Sequence, residues 1–331
     1  MVDRILGGLY LSSYDEFVRE GDVTEKHGIT HIVTVFKGTL PADYYDRFEI
    51  LSIEVDDDEA SDIIQYFPKA NKFINDALFP DEVDGFLTKV KKPHQTSVAV
   101  LCQAGMSRSP TILSAYLMKK YGLNVEQSLH AIQRKRERKV KPNDNFMEQL
   151  ELYYDSGCVF NLHDSEYRQW KLQNSVKSDP TGRSFLSGGI AFNDEDVNEE
   201  EELQKLKDNQ ELIQLKCKKC RYVLCNSNKF IYHLPPGDDS KQSKFIRRVP
   251  NKRKIISIEA ASSTCSHHFV EPILWMKPEL EKSEVEGKFN CPKCETKIGG
   301  YSWRGSRCSC GKWMIPSLHI QRAKVDAFKL K

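Results

Sequence analysis

No stretch of this 331-residue chain approaches the ~18 consecutive apolar residues that a membrane-spanning helix needs, so no membrane partner is expected. The opening Met1-Val2-Asp3-Arg4-Ile5-Leu6 lacks the basic start and apolar core of a secretory leader. The expectation is a protein kept inside the cell, where thiols stay reduced. Internal repeats of solenoid length are missing, although Cys-x-x-Cys recurs. Net charge is nearly absent too, at +2, but that figure hides an asymmetry. From Gln214 to Lys331, Lys and Arg outnumber Asp and Glu by 24 to 10, so the remainder is acidic. The two halves are built for different partners.

What is present is a soluble composition, 39% hydrophobic and 29% charged, with length enough for two domains. Ten cysteines in a reducing compartment point to metal binding or chemistry rather than to disulfides. The first ~155 residues alternate strand and helix patterns. Strands are expected at Ile5 to Leu11, Ile29 to Phe36, Phe48 to Val55 and Ser97 to Leu101. Helices are expected at Asp15 to Glu25, Phe67 to Leu78, Thr111 to Tyr121, Val125 to Arg138 and Pro142 to Tyr154. The pattern predicts a mixed α/β domain over residues 1–155, with a central mixed sheet flanked by helices. Phe79 to Gln95 reads as a surface loop. Residues 156–213 form a polar, acidic linker, within which Tyr167 to Leu172 either docks on a domain or stays a loose tail. Residues 214–331 carry the cysteine pairs.

Cys102-Gln103-Ala104-Gly105-Met106-Ser107-Arg108 follows a buried-strand pattern and precedes Ser109-Pro110, a helix start. Strand, tight loop and helix N-terminus in this order make an anion cradle from the backbone N–H groups of Gln103, Ala104, Gly105, Met106, Ser107 and Arg108. Arg108 adds a planar clamp for two phosphate oxygens. The same field favours a thiolate at Cys102, a nucleophile for phosphorus that needs no catalytic metal. Proton transfer to the leaving group requires an acid from the cluster Asp56-Asp57-Asp58-Glu59. The Ser109 hydroxyl is placed to hydrogen-bond the Cys102 sulfur.

These residues resemble the dual-specificity phosphatases of the protein tyrosine phosphatase superfamily. The resemblance, over about residues 3 to 155, includes Ile53-x-x-Asp56-Asp57 with the Tyr66-Phe67 helix after it, and Arg138-x-x-x-Pro142-Asn143-x-x-Phe146-x-x-Gln149-Leu150. It places the general acid on Asp57 and implies phosphoprotein substrates: phosphotyrosine, with phosphoserine and phosphothreonine as further candidates. Two departures stand out. The family usually has His immediately before the nucleophile, where this chain has Leu101, and Phe79 to Gln95 lengthens the spacing from acid to nucleophile.

Downstream, Cys217-x-x-Cys220, Cys265, Cys291-x-x-Cys294 and Cys308-x-Cys310 carry the spacing of closed, structural zinc sites. Seven cysteines and one His fill two four-coordinate centres, Cys217, Cys220, Cys291 and Cys294 in one, Cys265, Cys308, Cys310 and a His in the other. His233, His267 and His268 are the candidates, with His267 nearest in sequence to Cys265. Strand-like runs at Ile255 to Ile258, His268 to Val270 and Lys297 to Trp303 predict a small β-rich domain clipped by zinc. Cys291-Pro292-Lys293-Cys294, Gly300-Tyr301-x-Trp303, Arg307-Cys308-Ser309-Cys310-Gly311-Lys312-Trp313 and Phe269-x-Glu271-Pro272-x-x-Trp275-Met276 extend the resemblance to the zinc-binding dual-specificity phosphatases of the Yvh, or dual-specificity-phosphatase-twelve, type. That resemblance favours His233 as ligand. It implies a role in cytoplasm and nucleus in maturing the large ribosomal subunit, with the zinc domain binding the pre-60S particle, its rRNA and ribosomal or assembly proteins, and promoting release of a stalk-placeholder factor. The basic run Lys241 to Lys254 suits RNA phosphates, a solvated loop or a nuclear-import signal. The alternative reading is a protein that is mainly a ribosome-assembly factor, with weak or dispensable phosphatase activity.

Overall fold

A computed structural model describes residues 2–21, 23–80, 96–162, 164–179, 181–182, 213–236 and 265–329, together with 186, 248–249 and 252–253. The chain divides into two units, Met1–Asp164 and Ser165–Lys331.

The first unit is built on a five-stranded sheet in the order β1 (Asp3–Leu6), β2 (Leu9–Ser13), β5 (Ser97–Cys102), β3 (Ile29–Val35), β4 (Glu49–Ile53). Only β1 runs antiparallel to its neighbour; the other pairings are parallel. All six residues of β5 are buried, as a central parallel strand covered on both faces requires. Its near-unbroken apolar run delivers Cys102 to the carboxyl edge of the sheet. The helices are α1 (Tyr14–Arg19), α2 (Val23–His27), α3 (Tyr44–Arg47), α4 (Phe67–Leu78), α5 (Arg108–Tyr121), α6 (Val125–Gln133) and α7 (Asp144–Asp155). Eleven of the fourteen residues of α5 are buried, so the helix following the cysteine loop is itself a core element. Asn124 and Gln127 form a reciprocal capping box on α6, and Asn143 caps α7 through Phe146 N.

Several expected boundaries shift. The run Ile5 to Leu11 is two strands, β1 and β2, folded back at Gly7-Gly8. Asp15 to Glu25 is two short helices, parted at Gly21 where φ is +81°. The helix from Val125 stops at Gln133 rather than Arg138, and the residues after it run irregularly toward Pro142. Most of Phe79 to Gln95 (residues 81–95) and the acidic run Asp194 to Glu202 lie outside the described residues.

In the second unit, Ser165–Ser178 is a helix, α8, where the composition suggested linker. Its Tyr167, Leu172 and Val176 are buried, the last two in one core with Leu215, Phe269, Met276, Ile298 and Trp303. Arg168 Nε donates to Glu271 Oε2 at 2.8 Å, and both side chains are largely buried. The segment Tyr167 to Leu172 therefore docks on the cysteine-rich unit. Its two larger sheets are antiparallel, and two short two-stranded ribbons accompany them among the described residues. One larger sheet orders His267–Phe269, Ser317–Gln321, Lys297–Ser302 and Glu286–Asn290; the other sets β6 (Ile213–Cys217) between Val325–Lys329 and β7 (Val223–Asn226). The expected strand at Ile255 to Ile258 lies outside the described residues. Among the described residues no helix is long and apolar enough to cross a membrane.

Buried Gln149 ties α7 to the loop carrying the acidic cluster: its Oε1 accepts from Ile63 N at 2.8 Å and Ile64 N at 2.9 Å, and its Nε2 donates to Ser61 O at 2.9 Å. Gln149→Leu keeps the volume but strands these buried groups. A stability loss of about 2–4 kcal/mol is expected in urea unfolding; a loss under about 0.5 kcal/mol would contradict it.

Candidate active site and metal centres

Cys102 ends β5 and Arg108 begins α5, so the loop between them closes at a helix N-terminus. The Cys102 side chain is buried, and its Sγ receives the Gly105 N–H and the Ser109 hydroxyl, each at 3.1 Å. Gly105 has φ +67°, and a Cβ there would lie 2.9–3.0 Å from the backbone of Ser12 and Ser13, so only glycine fits. Ser109 is fully buried, which fixes its hydroxyl beneath the sulfur.

The carbonyls of the same loop have their own partners. Arg138 Nη1 donates to Ala104 O at 3.0 Å, Arg136 Nη1 to Gly105 O, and Lys141 N to Met106 O at 2.8 Å. Arg136 pairs with Asp3 of β1 at 2.6 Å in a nearly buried ion pair, and Arg138 with Glu16 of α1 at 3.1 Å. Arg108 Nη1 donates to Val55 O at 3.0 Å. Its Nε is buried without a hydrogen-bond partner, 3.7 Å from Asp57 Oδ2, a donor free to meet a phosphate oxygen.

Of the four acidic candidates, Asp57 is the one brought to the loop. Its Oδ1 accepts from Ser107 Oγ at 2.7 Å and Asn143 Nδ2 at 2.8 Å. Asp56 instead pairs outward with Lys37 at 2.5 Å. Asp58 caps its own turn through Ala60 N and Ser61 N at 2.9 and 2.6 Å, and its carboxyl is held below the ordinary range, burial opposing and these backbone bonds outweighing it. Gln103 and Ala104 are exposed at the rim, with Met106 half-buried and Ser107 buried. Sequence reasoning did not single out Asn143, Arg136 or Arg138 for the site; Asn143 and Arg138 stood in the closing-helix motif, where spacing alone gave them no chemical role.

In the second unit Cys217, Cys220, Cys291 and Cys294 form one group, and His233, Cys265, Cys308 and Cys310 another, with the ligand atoms of each within 4.8 Å of one another. Cys220 and Cys291 lie 3.5 Å apart, and Cys217 and Cys294 3.7 Å. The two Cys-x-x-Cys turns are alike: Arg221 N donates to Cys217 O at 2.8 Å and Glu295 N to Cys291 O at 2.9 Å, with Arg221 and Glu295 both at positive φ. Cys308-x-Cys310 closes similarly through Gly311 N at 3.0 Å from Cys308 O. His233 Nε2 lies 3.5 Å from Cys265 Sγ. His267, the sequence neighbour, instead contacts Ser266 Oγ through Nδ1 at 2.8 Å and packs edge-on against His319; His268 lies against the Phe230 ring. Within the first group, burial pushes the Cys291 thiol up, and hydrogen bonding to Thr296 draws that of Cys294 down. Four sulfurs, or three and an imidazole, at this spacing fit a tetrahedral cation. Cys158 and Cys225 belong to neither group.

The strand, cradle and helix around a buried cysteine define a dual-specificity phosphatase domain of the protein tyrosine phosphatase superfamily, and residues 9–156 match the family model described as "Dual specificity phosphatase, catalytic domain". The likeness extends through the cysteine-rich unit. The chain is 43% identical to tyrosine-protein phosphatase YVH1 of Saccharomyces cerevisiae over 337 residues, covering 100% of this chain and 92% of that one. It is 35% identical to yvh1 of Schizosaccharomyces pombe over 281 residues (84% and 71%), and 28% identical to dual specificity protein phosphatase 12 of Homo sapiens over 319 residues (95% and 85%). The chain belongs to the Yvh-type dual-specificity phosphatases.

Metal analysis of the purified chain is expected to give two ions per molecule, and one after Cys217→Ser or Cys308→Ser. Chelation should unfold the second unit while the first stays folded. A wild-type ratio near zero or one would contradict the pairing.

Proposed function

We propose that this phosphatase works through a phosphocysteine on Cys102. The carrying observation is the pair of donors, Gly105 N–H and Ser109 Oγ–H, each 3.1 Å from the sulfur, which suits a thiolate. In the first step the Cys102 sulfur attacks phosphorus, the bond from phosphorus to the leaving oxygen breaks, and Asp57 passes its proton to that oxygen. Arg108 and the other N–H groups between Gln103 and Arg108 hold the equatorial oxygens as charge builds, while that of Gly105 stays on the sulfur. In the second step Asp57, now a carboxylate, takes a proton from water as that water attacks phosphorus. The P–S bond breaks, and Ser109 steadies the departing thiolate. Substrates are phosphoproteins, with phosphotyrosine first and phosphoserine or phosphothreonine as further candidates.

Both groups are read as structural zinc sites, because each gathers four candidate ligands, enough to close a tetrahedral shell. The second unit is proposed to act on ribosomes, in cytoplasm and nucleus. There it would bind the pre-60S particle, its rRNA and ribosomal or assembly proteins, and promote release of a stalk-placeholder factor. Support comes from the excess of 24 basic over 10 acidic residues between Gln214 and Lys331, a balance suited to RNA phosphates. Most of the basic run Lys241 to Lys254 lies outside the described residues.

Cys102→Ser should abolish hydrolysis of aryl phosphates. Asp57→Asn should lower kcat for phosphotyrosine by about 10²–10³-fold and spare substrates with a strongly acidic leaving group; equal losses on both would remove Asp57 from the acid role. For the ribosomal role, Cys102→Ser is expected to support subunit assembly in cells where a chain truncated before Lys216 does not. The opposite pattern would make catalysis the essential function.

A further inference from the structure

The Ala104–Gly105 peptide has its N–H on the Cys102 sulfur at 3.1 Å and its carbonyl on Arg138 Nη1 at 3.0 Å. One arginine therefore holds the outer end of the dipole whose inner end touches the nucleophile. Arg138 is itself held: its Nη2 donates to Glu16 Oε1 at 3.1 Å, and Glu16 Oε2 accepts from Ser13 Oγ at 2.8 Å. Ser13 sits opposite Cys102 in the β2–β5 ladder. The chain of contacts thus leaves the sulfur through the peptide, passes through Arg138 and Glu16, and ends at Ser13 on β2, the strand paired with the one bearing the cysteine. Leu101, fully buried just before Cys102, offers no polar side-chain atom to do this.

The charged groups facing the loop come from several elements. Arg108 lies on α5 and Asp57 on the loop after β4. Arg136 and Arg138 follow α6, with Asp3 of β1 and Glu16 of α1 behind them. A carboxylate so close to the cradle would, by charge alone, work against a thiolate and against phosphate. Its place in the circuit suggests the reverse effect.

We infer that Arg138 and Glu16 are positioning residues for the nucleophile: Glu16 orients Arg138, and Arg138 fixes and polarises the Ala104–Gly105 peptide so that its N–H stabilises the Cys102 thiolate. Neither side chain touches the reacting phosphorus. The inference rests on Cys102 being the nucleophile.

The sign of the Glu16→Gln effect tests it. In the full, metal-loaded chain, the rate of Cys102 alkylation by neutral iodoacetamide is followed against pH by peptide mass spectrometry. Glu16→Gln removes a negative charge, so a purely through-space effect makes Cys102 react faster at pH 6. Loss of positioning makes it react slower, by about threefold or more, and this is the expected result. Arg138→Lys retains the charge but not the fork that spans Ala104 O and Glu16, so it too should react slower than wild type. An unchanged or faster Glu16→Gln, or an Arg138→Lys chain indistinguishable from wild type, would overturn the inference while leaving the nucleophile intact. A wild-type Cys102 no more reactive than in the urea-unfolded chain would overturn both.

Discussion

A loop can aim several N–H groups at one anion only if the carbonyls of the same peptides point away and find partners elsewhere. In the first unit those partners are Arg138 for Ala104, Arg136 for Gly105 and the Lys141 N–H for Met106. The short irregular stretch between α6 and α7 is thus a back-plate for the cradle. It explains why α6 stops at Gln133: a helix continued to Arg138 would carry these donors away from the loop. It also explains half-buried Asp3, whose carboxylate gives Arg136 the partner that an enclosed guanidinium needs. Asn143 extends the same logic to the acid, capping α7 with one end of its amide and gripping Asp57 with the other.

The energetic weights of these contacts differ. The Arg136–Asp3 pair is nearly enclosed, so removing either partner would leave a buried charge and cost about 3–5 kcal/mol. The Arg138–Glu16 pair is 42% and 29% exposed at its side chains, and pairs so wet add about 0–1 kcal/mol to stability. Its contribution is geometric, which is why it bears on reactivity rather than on folding. In the second unit, two clusters of four candidate ligands each stand beside a core that also takes in Leu172 and Val176 of α8. A small β-rich unit would gain stability from a cation bound at either cluster.

How much of this was legible in the sequence follows from how local each contact is. Cys102 to Arg108 could be read because its chemistry is packed into seven residues between a buried strand and a helix start. The paired cysteines could be read for the same reason. Asp57 could not be told from Asp56 or Asp58 by residue type; resemblance chose it, and its contacts with Ser107 and Asn143, 50 and 86 positions away, separate the three. The arginine clamps span 31 and 34 positions, with no periodic signal to mark them. His233 lies 32 residues from Cys265, whereas the nearer His267 faces another way. Helix α8 was missed because its sequence is polar nearly throughout, with a few apolar residues, Tyr167, Leu172 and Val176 among them, turned inward.

The central claim is that Cys102 takes the phosphoryl group from substrate. The most direct measurement is to mix the chain with an aryl phosphate, quench in acid within one turnover and locate the added mass by peptide mass spectrometry. One phosphoryl group on the peptide bearing Cys102, near one per chain early in the reaction and absent from Cys102→Ser, is the expected result. Rapid release of inorganic phosphate with no phosphoryl group on Cys102 at any time would contradict it.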